Sequence, residues 1–92
     1  MTTPLVLSDD TITLLGRFAD TLDARRPTAE MLEPIRLARA LVLAEQLCGR
    51  GTEAAFGAEQ DLLGAAPHVR AGQTRGEYAA LLRLIAQGVS VG

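Results

Sequence analysis

Apolar residues recur every three or four positions along this sequence, and short segments containing Gly or Pro interrupt the pattern. In the first such segment Leu15, Phe18 and Leu22 fall on one face of a helix, which turns by about 100° per residue. Arg17 falls on the opposite face. The only extended segment that we predict, residues 5–7, is too short to form a sheet by itself. The periodicity therefore predicts an all-α fold.

Capping residues and helix-ending residues set the limits of the predicted helices. Ser8, Thr52 and Thr74 are N-cap candidates, because a side-chain oxygen at this position accepts from a free backbone N–H of the first turn. Glu77 completes a capping box with Thr74, and Gly49 tolerates the conformation that ends a helix. We predict a single domain, residues 1–92, resembling a small four-helix bundle with helices at about 9–24, 34–48, 53–63 and 75–87.

The segment between the first two predicted helices contains a proline at each end. Pro27 prevents simple continuation of the first helix, because its ring fixes φ and it has no N–H to donate. Thr28 can cap a short helical turn that extends through Met31. Pro34 then interrupts that turn. We therefore predict a short helical piece, followed by a kink or a restart of the second helix at Pro34.

The core of this domain has to be aliphatic. The 92 residues include no Trp and only three aromatic residues, whereas 48% of the chain is apolar. Leu, Ala, Val and Ile must therefore fill the core, and Ala suits close helix crossings. In the third helix we expect Phe56, Leu62 and Leu63 to form the buried side.

Cysteine usage and hydropathy predict a cytoplasmic protein without membrane contact. Cys48 is the only cysteine, so no disulfide can form within the chain. The first ten residues lack the basic and apolar regions of a signal peptide. The longest aliphatic run, residues 40–44, is far shorter than the roughly 20 residues that span a bilayer. All the cationic residues are Arg, and Asn is absent, which is typical of a GC-rich, bacterial genome.

The charge balance argues against a general nucleic-acid or membrane-surface binder. The net charge is −2, whereas both partners require positive charge to neutralise phosphate. The charge is uneven, because residues 64–92 contain three Arg and only one Glu. This asymmetry would suit an acidic partner bound to the C-terminal third, but an ordinary solvated surface is the simpler explanation.

The sequence lacks the residue combinations that common catalytic, metal and nucleotide sites require, so we predict no enzyme and no cofactor. Without Lys there is no phosphate-binding Walker loop. One His and one Cys cannot form a zinc tetrad within one subunit. The remaining catalytic hypothesis is a dyad of Cys48 and His68, and its alternative is a buried thiol with a solvent-exposed His.

The second and fourth helices carry more apolar surface than a four-helix monomer readily buries. Such helices are either central in their own domain or shared with another chain. We predict a non-catalytic protein interaction module, either a homo-oligomer or an accessory subunit of a larger complex. The predicted contact residues are Arg36, Arg39, Leu43, Tyr78 and Leu82.

Two local resemblances suggest an alternative, a small dimeric DNA-binding regulator or antitoxin. Residues 74–90, TRGEYAALLRLIAQGVS, resemble the opening helix of the LuxR-type helix-turn-helix domain. The segment LVLSD at residues 5–9, followed by an amphipathic helix, is similar in outline to the ribbon-helix-helix of small antitoxins, although its ribbon carries Leu and Val. These resemblances imply one basic DNA-binding surface containing Arg70, Arg75 and Arg83.

Overall fold

The computed structural model describes residues 7–88, and within that range the chain forms helices and no strand. The helices are α1 (Asp9–Ala24), α2 (Glu33–Cys48), α3 (Glu53–Ala65) and α4 (Arg75–Ala86). The predicted all-α fold with four helices is confirmed for this part of the chain. The extended segment predicted at residues 5–7 lies outside the described residues, apart from Leu7.

Side-chain caps begin three of the helices where the sequence predicts them. Ser8 Oγ accepts from the backbone N–H of Thr11 at 3.1 Å, and Thr52 Oγ1 caps α3 in the same way at 3.1 Å. At α4, Thr74 Oγ1 accepts from the N–H of Glu77 at 3.1 Å. Glu77 Oε1 accepts in return from the N–H of Thr74 at 2.8 Å. The predicted capping box is therefore present.

The chain between α1 and α2 forms a turn at Pro27 and Thr28 and is not helical from Ala29 to Leu32, so the helical turn predicted from Thr28 through Met31 is wrong. This connection runs beside the start of α4, where Glu30 and Thr74 form an isolated antiparallel bridge. The Met31 N–H donates to the carbonyl of Gln73 at 2.8 Å, and the Met31 side chain is buried in the core. Pairing with a distant part of the backbone replaces the local helical hydrogen bonds.

Carbonyl groups of the same connection complete the N-terminus of α4. The carbonyl of Ala29 accepts from the N–H of Arg75 at 2.9 Å, and that of Pro27 accepts from the N–H of Gly76 at 2.8 Å. These contacts satisfy N–H groups that the first turn of a helix leaves unpaired. The close approach requires Gly76, because a Cβ there would lie 3.2 Å from the Pro27 carbonyl oxygen.

Pro34 lies in the first turn of α2, and the kink predicted there is not confirmed. The helix begins at Glu33, and no other helix precedes it after α1. Proline suits the first turn because the N–H that it lacks would have no partner within the helix. At the other end α2 stops at Gly49, whose φ of 96° agrees with the predicted end.

The other two helix ends differ slightly from the prediction. The third helix passes through Gly64 and ends at Ala65, two residues beyond the predicted limit. The N–H of Ala66 still donates to the carbonyl of Leu62 at 2.8 Å. The fourth helix ends at Ala86, one residue early. Helix ends commonly vary by this amount.

The helices pack as two pairs, α1 against α4 and α2 against α3, and α1 also contacts α2 and α3. The Cα atoms extend over 37 × 33 × 18 Å, so the domain is flat. A helix with its side chains is about 10 Å thick, and the shortest dimension therefore accommodates two layers of helices. In such an arrangement each helix keeps one face at the surface.

The centre of the core contains an aromatic pair in an otherwise aliphatic environment. The ring centroids of Phe18 and Tyr78 lie 5.8 Å apart, with the ring planes inclined by 57°. The Tyr78 hydroxyl donates to the carbonyl of Pro67 at 2.6 Å, which satisfies its polar end. Phe56 does not join them, because it is 65% exposed. The expectation that Phe56 lies on the buried side of α3 is therefore wrong.

Burial raises the pKa of Tyr78 to about 12. The phenol therefore stays neutral in the folded protein at a pH where it ionises in the unfolded chain, so its contribution to stability is complete below about pH 10 and lost toward pH 12. Tyr78 is the only Tyr, and there is no Trp. We expect an alkaline titration followed by tyrosinate absorbance to show a midpoint well above 10, and a midpoint near 10 only in concentrated urea. A midpoint near 10 in the native protein would contradict the burial of this phenol.

Candidate interaction surface

Four of the five predicted contact residues lie inside the protein. Leu43 is 4% exposed, and Tyr78 and Leu82 are fully buried. Arg36 is 4% exposed, and only Arg39 lies at the surface. The four buried side chains pack within their own subunit, so they are not available to a second chain. The prediction that these four residues contact a partner is therefore wrong, because helical periodicity does not reveal which apolar face a neighbouring helix covers.

Arg36 joins α2 to the C-terminal end of α3. Its Nη2 donates to the carbonyls of Leu63 and Ala66 at 2.8 and 2.9 Å, and its Nε donates to that of Ala66 at 3.2 Å. Its Nη1 donates to Glu33 Oε2 at 2.7 Å. Carbonyls at a helix end lack helical partners and carry partial negative charge, so a guanidinium satisfies them well. Arg36 is thus a structural residue.

Glu33 fixes the other side of this guanidinium. Its Oε1 accepts from the N–H of Val69 at 3.0 Å, while Oε2 lies 3.5 Å from Nδ1 of His68. The Val69 hydrogen bond, followed by the contact with Arg36, lowers the pKa of Glu33 below its ordinary value. The carboxylate therefore remains ionised and holds the loop after α3 against the start of α2.

The outer face of α2 is apolar and exposed. It comprises Pro34, Leu37, Ala38, Leu41 and Val42, among which Leu37, Leu41 and Val42 are 48%, 44% and 42% exposed. The opposite face of the same helix is buried in the core. The sequence correctly indicates that α2 is apolar on two sides, and the structure covers only one of them.

A groove with a volume of about 290 Å³ lies between the end of α1 and the first half of α2. Its apolar lining residues, which we call the groove floor, are Leu22, Ile35, Ala38 and Val42. Its remaining lining residues are Thr21, Arg25, Arg39 and Arg75. We call this feature the arginine groove. It shares Ala38 and Val42 with the outer face of α2, so the two form one continuous surface.

The cations of the arginine groove have no acidic partners among the described residues. Arg25, Arg39 and Arg75 form no ion pair within residues 7–88. Arg75 Nε is moreover buried and donates no hydrogen bond. A buried donor without an acceptor costs about 1–3 kcal/mol, so this guanidinium has hydrogen-bonding capacity that its own subunit leaves unused.

One of the three arginines of the basic surface implied by the DNA-binding resemblances is paired with acidic side chains. Arg83 binds the carboxylates of Asp20 and Asp23 on α1, and these two hydrogen bonds raise its pKa. Its charge is therefore neutralised within the subunit. Arg75 lies at the arginine groove, with Arg25 rather than with Arg83.

Among the residues that the structure describes, the most exposed large apolar side chain belongs to α3 and has acidic neighbours. Phe56 is 65% exposed. Glu53 and Glu59 lie three residues before and after it, so both carboxylates border the ring on the helix surface. Glu53 is exposed and Glu59 is half-buried. We call these three residues the Phe56 ridge.

The structure does not bring the candidate nucleophile and base together. Cys48 is half-buried at the last residue of α2, whereas His68 lies beside Glu33 at the first residue. The length of the helix, about 20 Å, separates the two ends. The His68 side chain is 86% exposed. Within residues 7–88 no group of three or more His, Cys, Asp or Glu side chains has an arrangement that could hold a metal ion.

Comparisons with protein-family models, with curated proteins and with solved structures gave no significant match. None of the helices in the described part of the chain has both the length and the apolar character needed to cross a membrane. The outer face of α2 and the arginine groove are therefore the features on which a function can be proposed.

Proposed function

We propose that this protein is a non-catalytic helical interaction module that binds another protein chain through the outer face of α2. The observation that supports this proposal is the exposure of Leu37, Leu41 and Val42 on a helix whose opposite face is already in the core. Adjacent exposed apolar side chains mark interaction sites, because covering them releases water at about 25 cal/mol per Å².

We also propose that the protein is cytoplasmic and comes from a bacterium. The single cysteine supports a reducing compartment, and the exclusive use of Arg as the cationic residue supports a GC-rich genome. Arg39 lies beside the apolar face and forms no ion pair with any residue from 7 to 88, which supports a partner that carries acidic groups.

Light scattering over a concentration series tests the proposal, comparing the wild type with the double variant Leu37→Gln/Leu41→Gln. We expect the wild type to associate above the 9.7 kDa of one chain and the double variant to remain monomeric. The matched control is Leu84→Gln, which changes an exposed leucine on α4 and should leave the association unchanged.

If the wild type is monomeric, the next experiment is affinity capture from the source cells. The three baits are the wild type, Leu37→Gln/Leu41→Gln and Leu84→Gln. The proposal then requires a captured protein that binds the wild type and Leu84→Gln but is lost with Leu37→Gln/Leu41→Gln. A monomeric wild type that captures the same set of proteins as the double variant contradicts it.

A further inference from the structure

We infer that the arginine groove is a self-association site whose occupant is the Phe56 ridge of a second copy of this chain. The inference rests on the proposed function and identifies the partner and the contacting side chains. It follows from two properties of the two surfaces, namely apolar character and charge.

The apolar parts of the two surfaces match. Phe56 projects from α3 with 65% of its surface exposed, more than any other large apolar residue described. The groove offers Leu22, Ile35 and Val42 as an apolar floor. An aromatic anchor inserted into a desolvated apolar site is the usual centre of a protein interface, and burying a Phe side chain contributes about 1.5–3 kcal/mol.

The charges around these apolar parts are complementary. Glu53 and Glu59 border Phe56 on both sides, and neither forms an ion pair within the part of the chain that the structure describes. Arg25 and Arg39 border the groove floor and are likewise unpaired. Insertion of the ring therefore places carboxylates near guanidiniums, which fixes the orientation of the two copies.

The same features favour a protein ridge over a nucleic acid as the occupant. A phosphate backbone would use the arginines but would leave the apolar floor uncovered, and the net charge of −2 opposes its approach. A ridge that carries carboxylates beside an apolar ring matches both the arginines and the apolar residues of the groove.

The groove and the ridge are different surfaces, so each copy offers one of each. Two copies that exchange both contacts about a twofold axis form a closed dimer with two equivalent groove–ridge contacts. If only one contact forms per pair, the chain of contacts stays open and the mass continues to rise with concentration. Both arrangements use the same side chains.

Charge reversal with complementation tests the inference. Arg39→Glu reverses the groove and Glu59→Arg reverses the ridge, and both are surface changes that should preserve the helical circular dichroism. We expect each variant alone to weaken self-association at least about tenfold by sedimentation or light scattering. An equimolar mixture should recover association, because it contains one native contact and one contact with exchanged charges.

Two further variants test the contribution of Phe56 and provide a negative control. Phe56→Ser should weaken self-association at least about tenfold without loss of stability, since the ring is exposed in the monomer. Arg70→Glu changes an exposed cation in the loop before α4 and should leave self-association within about twofold of the wild type.

The possible results separate this inference from the proposed function. A mixture that fails to associate, or a Phe56→Ser variant with wild-type association, overturns the groove–ridge contact. The proposed function survives that result if Leu37→Gln/Leu41→Gln still abolishes association. A monomer that captures a different protein through α2, or groove arginines that bind a duplex DNA oligonucleotide with steep salt dependence, also overturns the second-copy inference.

Discussion

Replacing Arg36 with Met is expected to lower the free energy of unfolding by about 3 kcal/mol. The guanidinium is 4% exposed and donates to the carbonyls of Leu63 and Ala66, as well as to Glu33. Hydrogen bonds that involve a charged group contribute about 1.5–3 kcal/mol, and removing the donor also leaves buried carbonyls unsatisfied. The loss is large for a domain whose total stability is about 5–15 kcal/mol.

Urea denaturation followed by circular dichroism measures this loss, with Arg39→Met as the matched control. Arg39 lies three residues later on the same helix but at the surface, so its replacement should change the stability of the monomer, measured below the concentration of self-association, by no more than about 0.5 kcal/mol. Arg36→Lys keeps the charge without the planar fork and should fall between wild type and Met. Equal stabilities for Arg36→Met and Arg39→Met would show that Arg36 does not tie α2 to α3.

Replacing Leu82 with Ala is expected to lower the free energy of unfolding by about 3 kcal/mol, whereas Leu41→Ala should change it by less than about 0.5 kcal/mol. Leu82 is fully buried on α4, so truncation removes buried methyl groups and leaves a cavity. Leu41 is 44% exposed on the outer face of α2 and loses little in the monomer. The two substitutions are chemically identical and differ only in position.

Urea denaturation at two protein concentrations distinguishes a residue of the core from a residue of an interface between chains. The loss caused by Leu82→Ala should not depend on concentration, because its contacts lie within one chain. Leu41→Ala should instead reduce association in light scattering. If Leu82→Ala reduces association while leaving stability unchanged, the burial of Leu82 within the monomer is refuted.

Part of the candidate surface follows from the sequence. The apolar residues of α2 occupy more than one face, and this pattern correctly indicates surface beyond the needs of one neighbouring helix. The choice of side was wrong because Arg36 and Arg39 suggested that Leu43, which lies near both, faces solvent. Arginine is usually exposed. Arg36 is buried here because the carbonyls at the end of α3 satisfy its charge.

The arginine groove has no signal in the sequence. Arg25 directly follows α1, Arg39 lies within α2 and Arg75 begins α4. Only the packing of these three helices brings the arginines together. The Phe56 ridge could have been found, since Glu53 and Glu59 flank the ring at helical spacing. The expectation that Phe56 lies on the buried side of the third helix concealed it, although single exposed apolar side chains are common.

The sequence by itself determined the four helices and the starting points of α1, α3 and α4, because periodicity and caps depend on residues within about four positions of each other. The Ser8 cap, the capping box of Thr74 and Glu77, and the end at Gly49 are interactions of this kind. Only the tertiary structure decided which helix faces are buried. It also decided that Met31 is not helical, because its N–H pairs with Gln73, and that Arg36 is buried. The partners of Arg36 at the end of α3 lie 27 and 30 residues away, and such contacts arise from packing rather than from local spacing.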